Sequence, residues 1–154
     1  MLTRILLGSI FTLAVFGPGV QQARAQDNNY YKQQVINYLQ GNGALKELRK
    51  YDFAPLDDGI RTGYINNGEF QDALYHLEKG YAYAFVGQCD EDCRQLTFEL
   101  FDPEGNRIGT DETSGDTPVI WLLVTQSGDY RIRATMPSCG GLIGCYWGVE
   151  AVVK

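Results

Sequence analysis

Two cysteine pairs and a run of acids carry the most reactive chemistry in this sequence: "CDEDC" at residues 89–93 and "CGGLIGC" at 139–145. Four thiolates suit a tetrahedral zinc site, but C-x5-C is wider than the usual zinc knuckle. Redox exchange wants C-x-x-C at a helix start, and neither pair has that spacing. Disulfides are the better reading in an oxidising compartment, with three connectivities open to four cysteines. Local pairing, Cys89 with Cys93 and Cys139 with Cys145, is expected, because each pair brackets residues suited to a tight turn. Such small loops are worth about 2 kcal/mol each in the chain-entropy account, and are expected to stiffen loop tips more than to staple a core.

The acids raise a second possibility. Nine of the nineteen lie between Asp90 and Asp116, with only Arg94 and Arg107 among them. Calcium takes six to eight oxygens from carboxylates and carbonyls. A pinned Asp90-Glu91-Asp92 loop facing Asp111 and Glu112 makes Asp90, Asp92, Asp111 and Glu112 the candidate calcium ligands, and calcium is the one cofactor the sequence suggests. An EF-hand is excluded, since counting from Asp102 puts Arg107 where that loop needs glycine.

Catalysis finds less support. A Ser/His/Asp arrangement needs a histidine, and His76 is the single one. Ser114, Ser127 and Ser138 sit in turn-like contexts outside G-x-S-x-G. A two-carboxylate glycosidase wants a long cleft that a chain of this size hardly provides. No residue is therefore assigned a catalytic role, and no enzyme is expected. Aromatic residues offer binding instead: Tyr30, Tyr31, Tyr146 and Trp147 are candidates for an exposed sugar-stacking platform, against the alternative that strand aromatics fill a core.

Compartment follows from the start of the chain. "MLTRILLGSIFTLAVFGPGVQQARAQ" has a basic n-region at Arg4, an apolar run and Ala23-Arg24-Ala25, the pattern of a secretory signal peptide cut after Ala25. Gly-Pro-Gly interrupts the run short of the ~20 apolar residues that span a bilayer. The formal charge is −6, and cutting removes two bases and no acid. Nucleic acid is thereby excluded as a partner, as are anionic headgroups, because both need a basic stripe. A secreted or periplasmic protein with no membrane span after cleavage is expected.

Residues 26–60 read as a helical segment and linker. Tyr31, Val35, Tyr38 and Leu39 share a helical face, "GNG" at 41–43 ends it, and "ALKELRKYDF" supplies another turn or two before Pro55 and Asp57-Asp58-Gly59. These helices are expected to cover one end of a core. From 61 to 154, runs rich in Tyr, Val, Ile, Thr and Phe alternate with turn residues every 8–12 positions, the rhythm of an antiparallel sandwich. Strands are expected near 61–66, 69–77, 81–87, 95–102, 106–110, 118–125, 129–135 and 145–153. In "EFQDALYHLEKG" a helical face also fits, but Glu78-Lys79-Gly80 as a hairpin connection favours strand. "FDPEGN" at 101–106 is a type I turn between two strands, and "QSGDY" at 126–130 is expected to close another hairpin.

The run from Gly63 to Val153 resembles the bacterial pre-peptidase C-terminal domain family. The resemblance lies in "YAYAF", in "LTFELFDPEGNRIGTDE" and in "SGDYRIRATM". It implies a jelly-roll-like β-sandwich that is not itself catalytic and binds calcium in some members. Gln95-Leu96-Thr97-Phe98 stand where many members carry Asp-Leu-Asp-Leu, so two family carboxylates are missing here. The combined reading is an all-β, jelly-roll-like sandwich with a short N-terminal helical segment, acting as a non-catalytic binding or accessory module at the cell envelope. Its partner would be an envelope protein or a polysaccharide, and a structural component without a ligand is the alternative. Mass spectrometry of the exported protein is expected to find Gln26 at its N-terminus; an intact segment from Met1 to Ala25 would overturn the secreted reading.

Overall fold

The computed structural model describes residues 19–113, 115–141 and 143–154, with side chains from 29 onward. The expected leader thus lies outside the described residues as far as 18, and the expected cut after Ala25 falls within the first helix. Two helices, α1 (Gly19–Gly41) and α2 (Gly43–Lys50), precede eight strands: β1 (Ala54–Asn66), β2 (Phe70–Leu77), β3 (Ala82–Cys89), β4 (Cys93–Phe101), β5 (Arg107–Asp111), β6 (Val119–Leu123), β7 (Gly128–Cys139) and β8 (Gly144–Val153). They form two antiparallel sheets in the orders β1-β8-β3-β6 and β2-β7-β4-β5. This is the jelly-roll order of a double-sheet sandwich, as the sequence led us to expect.

Alternation builds the core. Ala73, Tyr75 and Leu77 of β2 are buried, while Phe70, Leu74 and His76 between them face solvent. Period 2 therefore wins over the helical face in this segment. From the opposite sheet Tyr83, Phe85, Cys145, Trp147, Val149 and Ala151 meet Leu96, Phe98, Leu100, Tyr130, Ile132 and Met136 in one continuous cluster. "FDPEGN" closes the expected hairpin between β4 and β5: Gly105 N donates to Asp102 O at 3.0 Å, with Gly105 at φ 87°.

Two other turns do a different job from the one expected. Glu78-Lys79-Gly80 and "QSGDY" are not hairpins within a sheet. Each carries the chain across the sandwich, from β2 to β3 and from β6 to β7, because those strands belong to different sheets. Turn residues encode a reversal, whereas the sheet entered next depends on which apolar faces must meet. The strand β1 also starts earlier than expected, at Ala54. Its Asp57-Asp58-Gly59 does not end an N-terminal zone but loops out of register between the Pro55–Val152 and Ile60–Glu150 pairs. An edge strand tolerates both the proline and the bulge.

The helices cover a sheet face and not an end of the core. On β3 and β8 the outward residues Ala84, Val86, Gly148 and Val152 are as buried as the inward ones. Leu45 of α2 packs on Ala84, Val86 and Val152. Helix α1 lies over Gly148, where a Cβ would stand 2.8 Å from Val35 Cγ1 and 3.0 Å from Leu39 Cδ1. Asn42 separates the helices, its side chain accepting from Ala44 N at 2.7 Å as the N-cap of α2. Among the described residues no helix is long and apolar enough to cross a membrane.

The cysteines pair locally, Cys89 with Cys93 and Cys139 with Cys145. Each bond nevertheless joins a strand of one sheet to a strand of the other, β3 to β4 and β7 to β8. Cys93 and Cys139 are register partners, so both bonds clamp the same end of the sandwich. They staple the sheets together there, which goes beyond the loop-tip stiffening expected.

Leu39 is fully buried and Leu74 is 61% exposed. Leu39→Ala is therefore expected to cost about 3 kcal/mol in urea unfolding, and Leu74→Ala about 0.5 kcal/mol or less. Equal, small losses would show that α1 is an appendage and not part of the fold.

Candidate binding groove at the helix and disulfide edge

Where the helical cover ends, beside the Cys89–Cys93 turn, a hollow of about 510 Å³ opens between the α1–α2 junction and the sheet. Asn37, Tyr38 and Asn42 line it from the helices, and Gln88, Asp90, Glu91 and Asp116 line it from the loops. A shallower furrow of about 180 Å³, lined by Tyr30, Gln33, Gln34, Asn37 and Tyr38, runs back along α1. Asn37 and Tyr38 border both, so the two make one groove.

A relay of side chains fixes the floor. Asn42 Nδ2 donates to Gln88 Oε1 at 3.0 Å, and Gln88 Nε2 donates to Asp116 Oδ2 at 3.2 Å. Thr117 Oγ1 donates at 3.1 Å to Gln88 Oε1. Asn42 and Gln88 are both buried, which a polar group tolerates when its hydrogen bonds are made.

Asp90 is the most constrained acid of the site. Its backbone pairs with Tyr146, Asp90 N donating to Tyr146 O at 3.0 Å and Asp90 Oδ2 accepting from Tyr146 N at 2.7 Å. Only 4% of the residue is exposed, and Oδ1 has no hydrogen-bond partner. Burial raises its pKa above the ordinary carboxylate value; the Tyr146 amide opposes that and the charge of Asp92 adds to it. Gln34 of α1 ties down the same loop by accepting from Glu91 N at 3.2 Å.

The expected calcium ligands separate. Asp90 and Asp92 share the disulfide turn. Asp111 spends its oxygens on its own loop, Oδ1 accepting from Thr113 N at 3.0 Å and Oδ2 from Val119 N at 2.8 Å. Glu112 Oε1 accepts from Thr110 Oγ1 at 3.1 Å. Among the described residues no group of three or more His, Cys, Asp or Glu could hold a metal ion.

The expected aromatic platform divides as well. Trp147 is not at the surface but 2% exposed in the core, with Nε1 donating to Gln71 Oε1 at 2.9 Å. Tyr30 is 59% exposed. Tyr31 stacks on Tyr146 at 6.3 Å between ring centroids, and Tyr64 meets Tyr146 edge-on at 5.0 Å. Three of the four candidates thus gather beside the groove. Asn37, Tyr38, Asn42, Gln88 and Asp116 were not singled out from the sequence. The one available signal was the N-capping context of Asn42, and it predicts a helix start and not a site.

His76 lies far from this edge in function. Its Nδ1 is 2.7 Å from Asp129 Oδ1 and its Nε2 is 3.5 Å from Glu78 Oε1, with all three side chains at least 60% exposed. Ser127 Oγ donates to Glu78 Oε2 at 2.8 Å, not to the imidazole. No wall excludes water from this chain of polar groups, so it is a surface ion-pair array.

No family model and no curated protein matches the chain. Two solved structures are similar in part. PliG of Aeromonas hydrophila, a periplasmic lysozyme inhibitor of g-type lysozyme, is 13% identical, with 66% of this chain and 93% of that one covered at a TM-score of 0.49. TmCBM61, solved in complex with β-1,4-galactotriose, is 13% identical over 66% of this chain and 86% of its own, at a TM-score of 0.37. Neither likeness is close enough to carry a function across.

The hydrogen bond to Asp129, then the charges of Asp129 and Glu78, hold the His76 pKa above its ordinary 6.5. A raised pKa gives stability that is fully present below the unfolded value and is lost as pH rises through the folded one. An NMR titration is expected to place the His76 midpoint above 6.5 and to find it lowered in Asp129→Asn; an unchanged midpoint would break the assignment.

Proposed function

We propose that this chain is a secreted or periplasmic, non-catalytic binding module of the bacterial cell envelope, and that the groove along α1 takes a polysaccharide. One observation carries the reading: the furrow and the hollow are continuous through Asn37 and Tyr38, and amides, carboxylates and tyrosines line them throughout. Side-chain amides donate and accept at once, which matches sugar hydroxyls. Tyrosine supplies an apolar ring face together with a polar tip. The hollow lies in the size range of small-ligand sites, and the furrow extends it for a longer chain. The acidic charge of the protein argues against nucleic acid and anionic lipid as occupants.

Retention of the protein on insoluble peptidoglycan, chitin or cellulose tests this directly. The expected result is retention on at least one of them, weakened about tenfold by the pair Asn37→Ala and Tyr38→Ala. Both positions are exposed, so the melting temperature should stay within a few degrees. Failure to bind any polysaccharide, with capture of an envelope protein insensitive to this pair, would overturn the reading in favour of a protein partner at another face.

A further inference from the structure

We infer that the deep end of this groove recognises a primary ammonium, so that the ligand is a polysaccharide bearing free amino groups. The inference rests on the polysaccharide reading and sharpens it. Asp90, Glu91 and Asp116 line the hollow, and no lysine or arginine does. Charge alone would leave this an acidic rim, but Asp90 is not on a rim. It is 96% withdrawn from solvent, and its Oδ1 is left without a partner while Oδ2 is held by the Tyr146 amide.

An unpaired buried carboxylate oxygen costs desolvation that nothing in the surrounding protein returns. Glu150 provides the internal comparison. It too is buried with one oxygen unpartnered, but Arg49 stands 3.6 Å from the other oxygen and supplies its countercharge. Asp90 has only acids for charged neighbours, Asp92 adding to its burden. The missing partner is therefore a cation with N–H donors. An ammonium provides three donors on a compact charge, enough to reach Asp90 while sharing donors with the Asp116 and Glu91 carboxylates. The amides of Asn37, Asn42 and Gln88 around them suit the hydroxyls on the neighbouring ring carbons.

Calorimetry with the full mature protein and two probes, a glucosamine oligosaccharide and its fully N-acetylated counterpart, tests the inference. The free amine is expected to bind at least about tenfold more tightly, as one charge-assisted hydrogen bond confers. Asp90→Asn should abolish the preference while leaving binding of the acetylated oligomer unchanged. Because Asp90 also anchors the turn, Asp116→Asn is the second variant, and it should halve the preference or better with no change in melting temperature. Equal binding of the two oligomers would overturn the ammonium inference and leave the polysaccharide reading standing. Binding of neither would overturn both. Tighter binding of tri-lysine than of the glucosamine oligomer would assign the hollow to a basic peptide, and stabilisation by calcium alone would assign Asp90 to a metal; either result overturns the inference.

Discussion

The structure depends on a sheet that is apolar on both of its faces. Antiparallel sheets commonly bury one face and wet the other, and β2-β7-β4-β5 does so, with Asp72, Arg131 and Arg133 paired on its outer side. The central strands of the other sheet do not. Nearly every residue of β3 and β8 is buried, so a single sandwich interface could cover only half of what the sequence withdraws from water. A second layer was obligatory, and α1 and α2 supply it. Gly148 sets how closely they come, since any side chain there would meet Val35 and Leu39.

That second layer also creates the site. Two helices joined at Asn42 cannot tile four strands completely, and the uncovered corner lies where β3 leaves the sheet at Gln88 and Cys89. At such a seam the outward positions must change from apolar to polar within one strand. Val86 is followed two residues later by Gln88, which belongs to the same face and finds Asn42, Asp116 and Thr117 as partners. The groove is thus the boundary of the helical cover, and its polar floor follows from how that boundary is satisfied.

Much of this architecture was legible in the chain. Eight strands stood out because period 2 and regularly spaced turn residues are local signals, and "YYKQQVINYL" announced its helix by its buried spacing. The pairing of strands was less visible. Glu78-Lys79-Gly80 looks the same whether the next strand joins its own sheet or the opposite one, and only the global arrangement of apolar faces decides. Trp147 was taken for a surface aromatic because its neighbours Tyr146 and Gly148 are outward; one position of register separates the core from the groove. The site residues were opaque for a stronger reason. Asn42 and Gln88 are 46 residues apart, and neither has a motif that points to the other.

The disulfides decide how the groove can work. Both close the same end of the sandwich, and Cys89–Cys93 holds the turn that carries Asp90 and Glu91. Tyr146 grips that turn from β8 and Gln34 grips it from α1, so the acid at the centre of the hollow is fixed from three sides. A side chain so restrained loses little further freedom when a ligand arrives, which is the entropic half of affinity. The restraint has a second consequence. A free acidic loop would turn its carboxylates into water and leave no desolvated charge, whereas this one cannot swing out without breaking the Tyr146 pair. The unpaired oxygen of Asp90 is therefore a property of the clamped end, and the recognition chemistry of the groove follows from the staples that hold the two sheets together.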